Sequence, residues 1–83
     1  MDITVFSATG CAVCHAEMAW LDSKKVGYTS IVIDESDENM DAFIEATSGK
    51  AFGTPVTVIK QGSDTQVLMG FDRAKLQTIL DVS

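Results

Sequence analysis

The chain has 83 residues, 46% of them hydrophobic, with 12 acidic side chains against 6 basic ones. That length holds one domain, and that apolar share excludes a disordered chain. A formal charge of −6 with no Lys or Arg cluster excludes phosphate-driven binding to nucleic acid, and no apolar run approaches the ~20 residues of a membrane span.

The start, Met1-Asp2-Ile3-Thr4-Val5-Phe6, has no basic stretch and no long apolar run, so the expectation is a cytoplasmic protein without an export signal. Ile3 to Phe6 is a short β-favouring run suited to a strand buried on both faces. Ser7 to Gly10 is a turn of small residues. From Cys11 the period becomes helical. Cys14, Met18, Leu21 and Lys25 line one stripe, Val13, Ala16 and Trp20 widen it, and Gly27 supplies a stop. Tyr28 to Ile33 reads as a second strand. It leads into Asp34-Glu35-Ser36-Asp37-Glu38, a solvated acidic loop whose charge suits a helix N-terminus.

Met40, Phe43, Ile44 and Thr47 repeat at i, i+3, i+4, i+7, which predicts a second helix over 37–48 with Gly49 ending it. Val56 to Ile59 is a third strand, Gln61-Gly62-Ser63-Asp64 a hairpin turn, and Thr65 to Met69 a fourth strand. Gly70 breaks that strand. Asp72 can cap a last helix in which Leu76, Ile79 and Leu80 face inward. The order β-α-β-α-β-β-α predicts an α/β domain over 1–83. Its first unit is a parallel βαβ crossover and its last two strands form an antiparallel hairpin. One mixed four-stranded sheet with helices on both faces is the simplest packing.

The two cysteines stand as Cys11-Ala12-Val13-Cys14, after a strand and at the start of a helix. Two cysteines three positions apart close too small a loop to stabilise the chain through entropy, so their value lies in chemistry. Cys11 falls on the first turn, where unpaired N–H groups and the helix dipole favour a thiolate, the form that attacks disulfides. Cys14 lies one turn deeper on the core stripe. It is near enough to resolve a mixed disulfide at Cys11 and sheltered enough not to compete for substrate. Other readings are open at this point. A structural zinc site needs four ligands, against two cysteines and His15. A buried pair without chemistry is a second alternative. Cys11-Ala12-Val13-Cys14-His15 also matches C-x-x-C-H, the covalent haem signature, with His15 as axial ligand and Met40, Met69 or Met18 opposite.

With the β1–C-x-x-C–helix arrangement joined to Gly53-Thr54-Pro55-Val56, the chain resembles the glutaredoxins over essentially its whole length. Met69-Gly70-Phe71-Asp72-Arg73-Ala74-Lys75-Leu76 is similar to the glutaredoxin-like redoxins that reduce ribonucleotide reductase and behave like thioredoxins. The resemblance implies a minimal thioredoxin fold with sheet order 2-1-3-4, and a protein-disulfide reductase or electron carrier with Cys11 as attacking and Cys14 as resolving residue. It implies a cis Pro55, a Thr54 that offers its backbone to a bound peptide or glutathione, and a ligand groove completed by Gly70, Phe71 and Asp72. Asp72 would receive the γ-glutamyl end of glutathione.

The chain departs from the common family pattern at Ala8, where a Lys often meets the glycyl carboxylate, and at Thr9, Ala12-Val13 and Arg73. Glutathione as co-substrate and a thioredoxin-reductase-type flavoenzyme both stay open as electron donors. No tightly held cofactor and no metal are expected, and the expected form is a monomer. Glutathione-dependent deglutathionylation by Cys11 alone is the alternative activity.

Overall fold

A computed structural model describes residues 2–50 and 53–81. Strand β1 (Asp2–Ser7) leads into helix α1 (Ala12–Ser23), strand β2 (Thr29–Val32) and helix α2 (Asp37–Thr47). Strands β3 (Val56–Gln61) and β4 (Asp64–Met69) form a hairpin, and helix α3 (Arg73–Asp81) follows. The sheet runs β2-β1-β3-β4, the expected order. β1 pairs parallel with β2, Phe6 opposite Ile31, and antiparallel with β3, Val5 opposite Thr57. β3 and β4 pair antiparallel through a two-residue loop in which Gly62 takes φ +62°, a conformation that costs a residue with a Cβ.

Period-two alternation divides the strand residues between two cores. On one face Ile3, Val5 and Ile59 pack with Leu21 of α1, Leu68 of β4, and Leu76 and Ile79 of α3. On the other, Phe6, Val56 and Val58 pack with Ile33 and with Phe43 of α2. There the Phe6 and Phe43 rings meet edge to face at 5.5 Å, a preferred aromatic geometry. The three helices therefore cover both faces of the sheet. This mixed sheet differs from the nearly all-helical build of small cytochromes that carry the C-x-x-C-H signature.

The helix ends correct the sequence expectations in detail. Helix α1 stops at Ser23, and the stop is Lys25 at φ +59°, not Gly27. The Val26 N–H donates to the Leu21 carbonyl and the Lys25 N–H to that of Asp22. This pattern satisfies the last carbonyls and folds Val26 back onto the core beside Leu21. Lys25 therefore sits outside the helix and exposed, and the inward stripe of α1 is Cys14, Glu17 and Leu21. Met18 and Trp20 are half-buried, whereas Ala16 and Val13 are exposed, Val13 by 51%.

On α2 only Phe43 and Thr47 are buried, and Met40 and Ile44 face outward. Ser36 caps α2 by accepting from the Asn39 N–H, and Asp37 and Glu38 occupy its first turn. The helix ends one residue earlier than predicted, with Ser48 in the left-handed region. Helix α3 matches its prediction: Asp72 accepts from the Lys75 N–H at 3.0 Å, Leu76 and Ile79 are buried and Leu80 is half-buried. Among the described residues no helix is long and apolar enough to cross a membrane.

Candidate functional site: a cysteine pair at a helix start

The sulfurs of Cys11 and Cys14 are joined in a disulfide, with Cα atoms 5.3 Å apart. Cys11 is the residue that caps α1. Its backbone is extended, and its sulfur accepts the Cys14 N–H at 3.2 Å. One sulfur thus lies against the unpaired amides of the helix start, where an oxygen cap would normally sit. Cys11 is half-buried and Cys14 is fully buried. One side of the pair is partly open to solvent, and the other is closed off by the core. His15, at the start of the helix, is exposed.

The loop before Cys11 is tied down at two points. The Cys11 N–H donates to the Ala8 carbonyl. Both the N–H and the hydroxyl of Thr9 donate to one carboxylate oxygen of Asp34, at 3.1 and 3.3 Å. The Thr9 N–H is the main reason the Asp34 carboxyl lies below its ordinary range. Asp34 follows β2, so the parallel crossover delivers this anchor from the far end of α1.

Across the pair stand Thr54 and Pro55, whose peptide bond is cis as the resemblance implied. The Thr54 hydroxyl donates to Cys11 Sγ at 3.6 Å, within the longer range of sulfur acceptors. Gly70, at φ +79°, donates its N–H to the Pro55 carbonyl at 2.8 Å. That bond docks the β4–α3 connection on the cis-proline segment. Phe71 is half-buried with its ring 6.0 Å from that of Trp20. Lys24 Nζ lies 5.6 Å from the same Trp20 ring centroid. Thr54, Pro55 and Gly70 are therefore brought to the cysteine pair, and Phe71 follows directly on Gly70. Asp72 stands farther along with its Oδ1 engaged as the cap of α3.

Two residues of the site's underside escaped the sequence reading. Glu17, on the inward stripe of α1 three residues after Cys14, is fully buried. Its Oε2 accepts from the hydroxyl of Thr57 on β3 at 2.5 Å, and its Oε1 has no hydrogen-bond partner among the described residues. Burial pushes the Glu17 carboxyl up and the Thr57 bond lowers it by less. The signals were present. Thr57 is the one polar residue in Val56-Thr57-Val58-Ile59, and Glu17 shares a helix face with Cys14 and Leu21. Among the described residues no group of three or more His, Cys, Asp or Glu could hold a metal ion.

Comparison with solved structures finds the same fold in small thioredoxin-like and glutaredoxin proteins. The thioredoxin-like protein BC3987 superposes with a TM-score of 0.78 at 23% identity, over 94% of this chain and 99% of that one. Glutaredoxin-like protein NrdH-redoxin from Escherichia coli gives 0.75 at 20% identity, over 95% of each chain. The glutaredoxin from Archaeoglobus fulgidus gives 0.75 at 20% identity, over 95% of this chain and 85% of that one. At these identities the likeness shows a thioredoxin-type fold. No curated protein matches the sequence. The glutaredoxin family model, however, matches residues 3–62, from β1 through the cysteine pair and the cis-proline to the hairpin, and by that match the chain belongs to the glutaredoxin family.

Proposed function

We propose that this protein reduces disulfide bonds in other proteins by dithiol exchange. The Cys11 thiolate attacks one sulfur of a substrate disulfide, forming a mixed disulfide and releasing the other sulfur as a thiolate. Cys14 then attacks Cys11 Sγ, closing the internal disulfide and releasing the second thiolate of the product. A thiol or dithiol reductant restores the pair by the reverse exchange.

The observation that carries this reading is the unequal burial of two bonded sulfurs at a helix start. The half-buried one accepts a helix N–H, and the fully buried one lies on the core stripe. Thr54 with its hydroxyl beside Cys11, Pro55, and the Gly70–Phe71 segment docked on Pro55 form the wall against which an extended substrate segment is taken to lie. Asp72 sits at the far end of that wall, where its side chain serves α3.

Substrate and donor follow from the same features. A protein disulfide, that of ribonucleotide reductase among the candidates, suits a half-buried Cys11 flanked by the exposed Val13. The position where relatives often carry a Lys for the glutathione carboxylate is Ala8, and the protein carries a formal charge of −6. Both features favour a thioredoxin-reductase-type flavoenzyme over glutathione as donor. The neighbour from Escherichia coli, whose activity profile is described as thioredoxin-like, agrees with this choice. The proposed setting is the cytoplasm, as a monomer.

The test is a donor comparison on the oxidised protein. Thioredoxin reductase with NADPH should restore two free thiols faster than glutathione with its reductase, and the reverse order would reassign the donor. C11S should abolish all exchange. C14S should lose protein-disulfide reduction, and a C14S protein that still turns over glutathionylated substrate at the wild-type rate would replace the dithiol route with the single-cysteine one.

A further inference from the structure

The buried carboxyl of Glu17 has no role in the two-cysteine exchange as described. It is nonetheless the least ordinary group in the fold. A carboxylate removed from water is costly unless it is paired, and this one has a single hydrogen bond. His15 of α1, Lys24 just after it, Lys60 of β3, and Arg73 and Lys75 of α3 are all exposed.

Its position is specific. Cys14 and Glu17 lie three residues apart on the inward face of α1, and such pairs sit one above the other with Cβ atoms about 5–6 Å apart. Helical side chains lean toward the N-terminus, so Glu17 leans toward the Cys14 turn. Thr57 holds Oε2 on the β3 side. Thr57 itself lies on the strand that runs directly from the Thr54-Pro55 segment facing Cys11. Oε1 is left with a free acceptor position inside a closed space.

Resolution needs such an acceptor. Cys14 must lose a proton before it can attack Cys11, and a fully buried thiol has no bulk water to take it. We propose that Glu17 accepts the proton of the Cys14 thiol during the resolving step and returns it when the pair is reduced. The proton passes from Cys14 Sγ to Glu17, directly or across one water. The Cys14–Cys11 bond forms, the bond from Cys11 to substrate breaks, and the substrate leaves as a thiolate. In the reverse direction the protonated carboxyl supplies Cys14 Sγ as the internal disulfide opens. The inference rests on the dithiol reading above. On α1 the buried neighbours of Glu17 are Cys14 and Leu21, on β3 its partner is the Thr57 hydroxyl, and β1 and α3 bring Val5, Leu76 and Ile79 to this side of the sheet; of the described groups on this core only Cys14 and the half-buried Tyr28, which follows α1, can titrate. A carboxyl raised by burial is the better matched to this task, since a base is most effective when its pKa approaches the working pH.

The test uses the reduced full-length protein and 2,2′-dithiodipyridine, whose two chromophoric thiols leave one at attack and one at resolution. In wild type both phases should be seen. In E17Q the first phase should stay within twofold of wild type and the second should slow by on the order of 100-fold at pH 7. The E17Q second phase should recover as pH approaches the thiol's own ionisation. The carboxyl of Glu17, followed by 13C NMR in the wild-type protein, should titrate above the ordinary carboxylate range and at a different pH in the oxidised and reduced states. Unchanged second-phase rates and pH profile in E17Q would overturn the inference, and so would equal slowing of both phases or an ordinary titration in both redox states. A wild-type protein that releases neither thiol would overturn the exchange reading itself and this inference with it.

Discussion

Thr54 and Cys11 are 43 residues apart in the chain, yet the threonine hydroxyl lies 3.6 Å from the cysteine sulfur. With the Cys14 N–H on the same sulfur at 3.2 Å, Cys11 has two donors aimed at it. Donors to an ionised group favour the ionised form. T54V keeps the shape and removes one donor. In the reduced protein, alkylation of Cys11 by iodoacetamide at pH 7 should therefore slow by about threefold to tenfold, from a bond worth ~1 kcal/mol. An alkylation rate equal to wild type would show that the helix amides alone set the reactivity.

Glu17 also has a consequence for stability. Burial raises its folded-state carboxyl above the ordinary value, so the folded protein holds that proton more tightly than the unfolded chain. Its contribution is most favourable below the unfolded value and is lost as pH rises through the folded one. Urea unfolding of the oxidised wild type should show this loss. E17Q should be flatter over the same window and more stable than wild type at pH 8 by on the order of 1 kcal/mol. Parallel pH curves for the two proteins would contradict the buried-charge account.

The inward stripe of α1 makes a sharp contrast testable. Leu21 is fully buried and Val13 is 51% exposed, although both are aliphatic and share one helix. L21A should cost about 3 kcal/mol, through lost transfer energy and a residual cavity. V13S should lie within ~0.5 kcal/mol of wild type. Equal costs by chemical denaturation would mean that the helix is rotated from the orientation described.

Asp34 is the anchor of the loop that carries Cys11. Its carboxylate accepts both donors of Thr9, and those bonds hold its carboxyl below the usual range. The tether is present above the ordinary carboxylate pKa and is lost as pH falls through the lowered one. The Thr9 amide proton should titrate with Asp34 by NMR and lose that titration in D34N, with faster amide exchange at Thr9. A Thr9 amide shift that titrates identically in D34N would assign it to another group.

The order of elements and the site's upper surface were legible because they rest on strong local signals. Strand and helix periods differ, Gly62 and Asp72 mark a turn and a cap, and a cysteine pair at a strand-to-helix junction places one sulfur at the helix start and the other on the core face. What was not legible depended on rotation about a helix axis and on tertiary exceptions. Met18 and Glu17 compete for the same inward sector of α1. Hydrophobicity favours Met18, and only the Thr57 hydroxyl on β3 makes the glutamate tenable inside. Met40 and Ile44 fit the α2 period, but the core beneath that helix is filled by Phe43 and Phe6. Gly27 is the better helix terminator by propensity, yet the left-handed turn falls on Lys25, because there it returns Val26 to Leu21. Asp34 read as one charge in an acidic loop, since nothing local indicates a partner 25 residues earlier.

The division of the sheet into two separate cores bears on how such a protein can diversify. Glu17 and Thr57 stand on the α1 and α3 side, and the layer under α2 is aliphatic and aromatic. Changes in α2 reach the sulfur chemistry through the intervening β-layer and the Thr9–Asp34 tether. That half of the molecule is free to drift, acquiring new surfaces and new binding preferences, while the half that holds the cysteine pair keeps its tuning.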